Sequence, residues 1–239
     1  MFFYNPTYLL FMFPAFILMM LTSWYVKSAY NKWSKVPSNS RLTGAQVAQR
    51  LINSSSAYVT SESGHGLLDV RIQGIGGNLS DHYDPRTKTL RLSQGVANSS
   101  SVAAVAVAAH ELGHALQDAE DYLPLRFRAA LVPAVNIGSW LGWILIMIGL
   151  FLNMTNLAWL GVLVFSGGAV FALATLPVEL NASARAKQLL AETGIIQSEQ
   201  EQRGVNSVLN AAALTYVAAL VTAVLQLLYF ASLLTGRRR

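Results

Sequence analysis

One short segment combines residue types and a spacing that suit metal chemistry: His-Glu-Leu-Gly-His at residues 110–114. Residues four positions apart lie on the same face of a helix, so the imidazoles of His110 and His114 can bind one zinc ion. Glu111 would then lie beside a water molecule on the metal and could take its proton as a general base. The motif predicts one zinc ion per chain and metal-assisted hydrolysis; a purely structural histidine pair is the alternative.

Two histidines leave such a site incomplete, because a catalytic zinc ion usually has three protein ligands and a water molecule. The first charged residue after the uncharged stretch 129–178 is Glu179. It is either the third ligand or an acidic residue that the helix dipole favours near a helix start. Arg185, further along the same segment, either orients a carboxylate near the metal or lies on a solvated surface.

Two more histidines, His65 and His82, lie upstream in loop-like sequence. Metal-assisted hydrolysis of a carbonyl group needs a cation or a hydrogen-bond donor near the developing oxyanion, so His82 is a candidate catalytic residue and Tyr83 a second one. The alternative is that residues 81–85 form a turn stabilised by bonds from the aspartate side chains. His65 lies between two glycines and is predicted to be inert.

The composition indicates a membrane protein. Hydrophobic residues make up 53% of the 239 residues and charged residues only 12%, about half the roughly 25% typical of soluble proteins. A membrane span needs about 20 apolar residues. The uncharged stretches predict transmembrane helices at 8–26 and 206–234, and a hairpin of two more at 131–176.

The residues between these spans predict a small catalytic domain in two parts, 27–130 and 177–205. The first part has an amphipathic helix beginning after Thr43, strands at 68–72 and 88–92, and the motif helix at 101–118. The second part is a polar helical segment from 179 to 203. The predicted fold class is α+β: a mostly helical membrane protein with about four transmembrane helices and a zincin-like catalytic minidomain.

Charge distribution predicts the orientation of the chain. Four spans place both polar parts on one side of the cell membrane, and these parts hold 14 of the 17 Lys and Arg residues. The positive-inside rule then predicts a cytoplasmic site, although residues 237–239, all arginine, would lie outside. The net charge of +5 fits residues next to the membrane. Membrane lipid is therefore an expected partner. Nucleic acid is not, because no dense basic patch alternates with aromatic residues.

Several stretches resemble the YugP-like neutral zinc metallopeptidases of bacterial membranes. These stretches are Thr-Gly-Ala-Gln-Val-Ala at 43–48, Leu-Ser-Asp-His-Tyr-Asp-Pro at 79–85, Leu-Arg-Leu-Ser at 90–93, Val-Ala-Ala-His-Glu-Leu-Gly-His-Ala-Leu-Gln at 107–117 and Leu-Pro-Val-Glu at 176–179. The resemblance implies a membrane zinc peptidase.

More distantly, the chain is similar to prenyl-protein proteases and heat-shock membrane metallopeptidases, which have a later Glu-x-x-Ala-Asp. That pattern falls on residues 179–183, so the resemblance implies that Glu179 is the third zinc ligand. This chain departs from the pattern at Ser183, where those relatives have Asp. The hydrogen bond that the Asp gives to a ligand histidine must then come from elsewhere or be weaker.

Together these features predict a zinc metalloendopeptidase that hydrolyses membrane-associated proteins or peptides, using zinc-activated water and Glu111 as general base and acid. One alternative is an intramembrane protease with the motif inside a span. The apolar stretch 102–116 invites this, but it is short, it is followed by Asp118, and the distal Asp ligand of those enzymes is missing after Asp121. The other alternative is a non-enzymatic scaffold with structural zinc, which has no need of Glu111.

Overall fold

The computed structural model describes residues 6–55 and 66–236. The loop-like sequence around His65 lies outside the described residues, as do the three terminal arginines. The helices in chain order are α1 Pro6–Trp33, α2 Gly44–Ser55, α3 Gln94–Ala97, α4 Val102–Ala119, α5 Leu123–Phe151, α6 Thr155–Phe165, α7 Gly167–Glu192 and α8 Glu199–Gly236. The strands are β1 Arg71–Ile75, β2 His82–Asp84 and β3 Thr89–Ser93.

The predicted fold class is confirmed. Within the described ranges, four helical stretches are long and apolar enough to cross a membrane: Pro6–Trp33, Leu123–Phe151, Thr155–Glu192 and Glu199–Gly236. A three-stranded sheet accompanies them, which makes the chain an α+β protein. The third apolar stretch is interrupted at Ser166, between α6 and α7.

The chain divides into two compact units. The first, here called the apolar unit, comprises the described parts of Met1–Trp24, Phe127–Pro177 and Leu214–Arg239. The second, here called the sheet unit, comprises the described parts of Tyr25–Arg126 and Val178–Ala213.

Inside the apolar unit, α5 and α6 pack backbone to backbone through glycines. A Cβ atom on Gly142 would lie 2.6 Å from the backbone nitrogen of Phe165, and one on Gly149 would lie 2.4 Å from that of Ala158. Lipid supplies no hydrophobic force between helices, so close van der Waals packing through small residues holds them together. The connection between the two helices is only three residues long.

Inside the sheet unit, the sheet has the order β1-β3-β2, with β3 parallel to β1 and antiparallel to β2. Leu90 and Leu92 of the central strand are fully buried and cluster with Ala104 and Ala108 of α4. Side chains alternate between the two faces of a strand, so the Leu90 face of the sheet lies against α4. The sheet thereby supports the helix that carries the motif.

Two predicted helix starts in this unit are confirmed by their caps. The backbone N–H of Gln46 donates to Thr43 Oγ1 at 3.3 Å, and that of Thr43 donates to Gln46 Oε1 at 2.9 Å, which is a capping box. At the start of α4, the N–H of Ala104 donates to Ser101 Oγ at 3.2 Å. Both caps satisfy backbone donors that a helix leaves free at its first turn.

Three expected elements differ from the structure in part. The segment 68–72 is not one strand, because a 3₁₀ turn occupies Leu67–Asp69 and β1 begins only at Arg71. The turn weighed as the alternative for residues 81–85 is partly right: His82–Asp84 pairs with β3, and the Asp84 side chain then accepts from the backbone N–H of Arg86 at 3.0 Å, a bond of the Asx type. This short strand is held by its hairpin partner β3, which follows after a four-residue turn, and it has no strand pattern of its own.

The polar helical segment predicted at 179–203 is also not a separate element. Its first part belongs to α7 and its last part to α8. Helix α7 ends near Gly194, whose φ of +63° is in the left-handed region that favours glycine at a helix C-terminus. Glu179 is therefore an interior residue of α7, not a residue at a helix start, and a role for it in stabilising the helix dipole there is excluded.

Candidate metal centre

Helices α4 and α7 approach closely at the motif. A Cβ atom on Gly113 would lie 2.4 Å from the backbone oxygen of Ala182, a distance that real Cβ atoms essentially never show. Only glycine permits this approach. It brings the part of α4 that carries His110 and His114 next to the part of α7 that carries Glu179. Gly113 is therefore needed inside the motif for the close packing of α4 against α7.

The structure brings His110, His114 and Glu179 together. Their candidate ligand atoms all lie within 4.8 Å of one another. Glu179 Oε2 is 3.3 Å from His110 Nε2 and 3.4 Å from His114 Nε2. Glu179 is only 2% exposed, so its carboxylate is held between the two imidazoles in a nearly dry site.

This donor set fits a zinc ion. Two imidazole nitrogens and one carboxylate oxygen form one of the ligand sets that catalytic zinc sites use. Burial by itself lowers the pKa of His114, but the hydrogen bond with Glu179 and the charge of Glu111 outweigh it, so the pKa is raised. A buried cluster that favours positive charge in this way suits a divalent cation. Ligation itself stays a prediction, as does the number of zinc ions.

Each histidine of the cluster uses its other ring nitrogen for a hydrogen bond. Ser183 Oγ lies 3.1 Å from His110 Nδ1, so the serine occupies the role that the distant relatives give to Asp. Gln117 Oε1 lies 3.0 Å from His114 Nδ1. Sequence reasoning did not find Gln117. Its position three residues after His114, on the same helix face, was the available signal.

The carboxylate of Glu111 is held by the sheet. The backbone N–H of Tyr83, in edge strand β2, donates to Glu111 Oε2 at 3.1 Å. The Tyr83 hydroxyl donates to Asp118 Oδ2 at 2.7 Å, and Lys88 Nζ is 2.6 Å from the same oxygen. Burial and then the hydrogen bond to Asp118 raise the pKa of Tyr83 well above its usual value. Tyr83 therefore stays neutral with its hydroxyl bonded to Asp118, and a role for it at the oxyanion stays a prediction.

His82 is not brought into the cluster. It neighbours Tyr83 on β2, and its side chain therefore lies on the other face of the sheet, where it is exposed. Its Nδ1 is 2.8 Å from the backbone oxygen of Ser80, and its Nε2 is 3.4 Å from Arg91 Nη1. A catalytic role for His82 stays a prediction. No contact of His82 among the described residues supports it.

Arg185 is connected to the candidate metal ligands through a network of hydrogen bonds. Its Nε donates to Asn181 Oδ1 at 2.7 Å, and its Nη1 is 2.6 Å from Glu120 Oε2. The carboxylate that Arg185 bonds is that of Glu120, which is not a candidate ligand, so a role for Arg185 in orienting a carboxylate at the metal stays a prediction.

Comparisons with known proteins identify the family of the chain. The family model described as "Putative neutral zinc metallopeptidase" matches residues 8–235. The chain is similar to "Putative membrane protease YugP" of Bacillus subtilis (strain 168), with 42% identity over 233 residues, which cover 96% of this chain and 99% of that protein. No solved structure matches it. With four helices able to cross a membrane and a family match over most of its length, the chain is a multi-pass membrane protein that belongs to this family of neutral zinc metallopeptidases.

Proposed function

We propose that this chain is a membrane-anchored zinc endopeptidase of the HExxH type that hydrolyses membrane-associated proteins or peptides. One zinc ion per chain is held by His110, His114 and Glu179, and Glu111 is the general base and acid. The single observation that carries this proposal is the convergence of the three donors, with Glu111 adjacent to them on α4 but outside the ligand set.

The residues of the chain supply the positioning and the proton transfer. A zinc ion bound in this site polarises a peptide carbonyl and makes a water molecule more acidic. Glu111 accepts a proton from the attacking water and later donates it to the leaving amine nitrogen. The N–H of Tyr83, bonded to one carboxylate oxygen, leaves the other Glu111 oxygen for this transfer.

Two features favour this proposal over its alternatives. Helix α4 belongs to the sheet unit and is not one of the four stretches able to cross a membrane, which argues against an intramembrane protease. A structural zinc site has no use for a carboxylate beside its ligands, yet Glu111 is held in place there by Tyr83.

The test is Glu111→Gln, which is nearly isosteric but cannot accept the proton. Loss of a general base costs about 10²–10⁴-fold in rate, and a group that also returns the proton should reach the upper end. Zinc content and melting temperature should stay at their wild-type values. A soluble peptide substrate separates this enzyme from an intramembrane protease. The matched control is Glu199→Gln, because the Glu199 side chain is 92% exposed. Wild-type cleavage by Glu111→Gln would refute the mechanism.

We further propose that the sheet unit faces the cytoplasm, from the distribution of Lys and Arg between the segments. The chain has no cysteine, so single cysteines can be introduced without background. Gln49 and Gln200 are exposed positions in the two polar segments. A membrane-impermeant thiol reagent should label Gln49→Cys and Gln200→Cys only after the cells are opened. Labelling of either on intact cells would reverse the orientation.

A further inference from the structure

We propose that Gln117 is a positioning residue of the metal centre: together with Asn181 and Arg185, it holds His114 with its proton on Nδ1 and its Nε2 lone pair directed to the metal. The inference rests on the proposed zinc site and adds to it the groups that fix the tautomer and orientation of His114.

The first step is the orientation of the Asn181 amide. Arg185 Nε lies 2.7 Å from Asn181 Oδ1. A guanidinium has only donors, so the atom of Asn181 that faces it must be the carbonyl oxygen. Arg185 is in turn held by Glu120, 2.6 Å from its Nη1, and lies 5.8 Å from the centre of the Tyr122 ring. The amide of Asn181 is therefore fixed from the surface side of the network.

The second step is the orientation of the Gln117 amide. Two acceptors face one end of it: Asn181 Oδ1 at 2.9 Å and the backbone oxygen of Val178 at 2.8 Å. That end must be the NH₂ group, because a carbonyl oxygen there would meet two other oxygens. Gln117 is completely buried, so water cannot replace either bond. The carbonyl oxygen of Gln117 is thereby directed to His114.

The third step is the tautomer of His114. Gln117 Oε1 is only an acceptor, so at 3.0 Å from His114 Nδ1 it requires a proton on that nitrogen. A neutral imidazole then carries its lone pair on Nε2, which faces Glu179 Oε2 at 3.4 Å. His110 lacks this constraint, because the Ser183 hydroxyl beside its Nδ1 can either donate or accept. The two ligands thus differ in how strictly they are held.

The direct test is ¹⁵N NMR of the full-length, zinc-loaded protein in micelles with labelled histidine. The chain has four histidines, and the variant His65→Asn/His82→Asn leaves only the two predicted ligands labelled. We expect a proton on Nδ1 of His114 and no proton on its Nε2. A His114 that binds zinc through Nδ1, or carries its proton on Nε2, would overturn the inference.

Zinc affinity provides a second readout, measured by competition with a chelator. Gln117→Met keeps the size of the side chain but has no acceptor for His114, and loss of such a partner weakens metal binding by about 10–100-fold. Gln117→Glu retains an acceptor oxygen for His114, loses the two donors and adds a negative charge beside the imidazole, so its zinc affinity should exceed that of Gln117→Met. Gln49→Met, at an exposed position, is the matched control.

The outcomes separate the two proposals. If Gln117 only fills space, Gln117→Met should bind zinc as the wild type does and Gln117→Glu should be the weaker variant, which refutes the inference alone. Failure of the wild type to bind zinc would instead refute the proposed function. The NMR measurement uses no substitution at Gln117, so a His114 proton found on Nε2 refutes the inference even if the variants fold poorly.

Discussion

The two units of this protein bury their side chains in opposite ways. In the sheet unit, α4 is almost completely enclosed, and Val105, Ala109 and Leu112 have no exposed surface. In the apolar unit, many of the largest apolar side chains are exposed, among them Trp140 at 69% and Leu163 at 69%. Water drives the first arrangement, whereas lipid solvates the second at no cost. An apolar side chain therefore indicates a core in one unit and a lipid contact in the other.

Charge follows the same division. Arg128 is the one charged residue among the described residues of the apolar unit. The sheet unit instead contains ion pairs close to the metal cluster, such as Lys88 with Asp118 and Arg185 with Glu120. Charged groups in hydrocarbon are costly and need partners. The polar network around the candidate metal ligands is therefore confined to the unit where such groups can be hydrogen-bonded and partly solvated.

Glycine serves both units, with different consequences. Gly113 lets α4 approach Ala182 of α7, next to the metal cluster, and Gly142 lets α5 approach α6 in the hairpin. The physical device is the same, since a missing Cβ allows two backbones to touch. What differs is whether chemistry depends on the distance between them.

The largest effect on this comparison is expected from Glu179→Ala. Removal of a ligand should weaken zinc binding more than the roughly 10–100-fold that loss of an outer partner costs, and peptide cleavage should disappear with the metal. Chelator competition measures the first effect. Glu199→Ala is the control because that side chain is fully solvated at 92% exposure. Wild-type zinc affinity in Glu179→Ala would show that Glu179 is not the third ligand.

An intermediate effect is expected from a pair of matched substitutions, Gly113→Ala and Gly142→Ala. Each puts a methyl group into a backbone contact, at 2.4 Å and 2.6 Å respectively, and overpacking of this kind costs about 1–3 kcal/mol. Both should lower the melting temperature in micelles. Only Gly113→Ala should weaken zinc binding, because it separates the helices that carry the ligands. Equal zinc affinities in the two variants would contradict the proposal that only Gly113 positions the candidate ligands.

The smallest effect is expected from Tyr83→Phe. It removes the hydroxyl bonded to Asp118 but leaves Lys88 beside that carboxylate and the backbone N–H beside Glu111. Loss of one such hydrogen bond costs about 1 kcal/mol, so stability should fall slightly and zinc affinity should not change. Cleavage should decrease by a few-fold at most through slight displacement of β2. A loss as large as that of Glu111→Gln would give Tyr83 a direct part in the chemistry.

Local patterns accounted for the features that the sequence predicted well. The four long apolar helices follow from hydropathy, and the caps at Thr43 and Ser101 follow from short-range spacing. The i, i+4 spacing also predicted that His110 and His114 share one face, and the structure brings Glu179 to them as the family resemblance implied. Strand β2 was missed because only its pairing with β3 defines it.

The sequence by itself determined which chemistry is available, because hydropathy, helix periodicity and the types of the ligand residues are all properties of near neighbours in the chain. Only the tertiary structure decided how the candidate metal ligands are held. Gln117 and Val178 are 61 positions apart, and Ser183 is 73 positions from His110. Such pairs meet through the close approach of α4 and α7 at Gly113. No short-range pattern contains that distance, because it results from the packing of the whole unit.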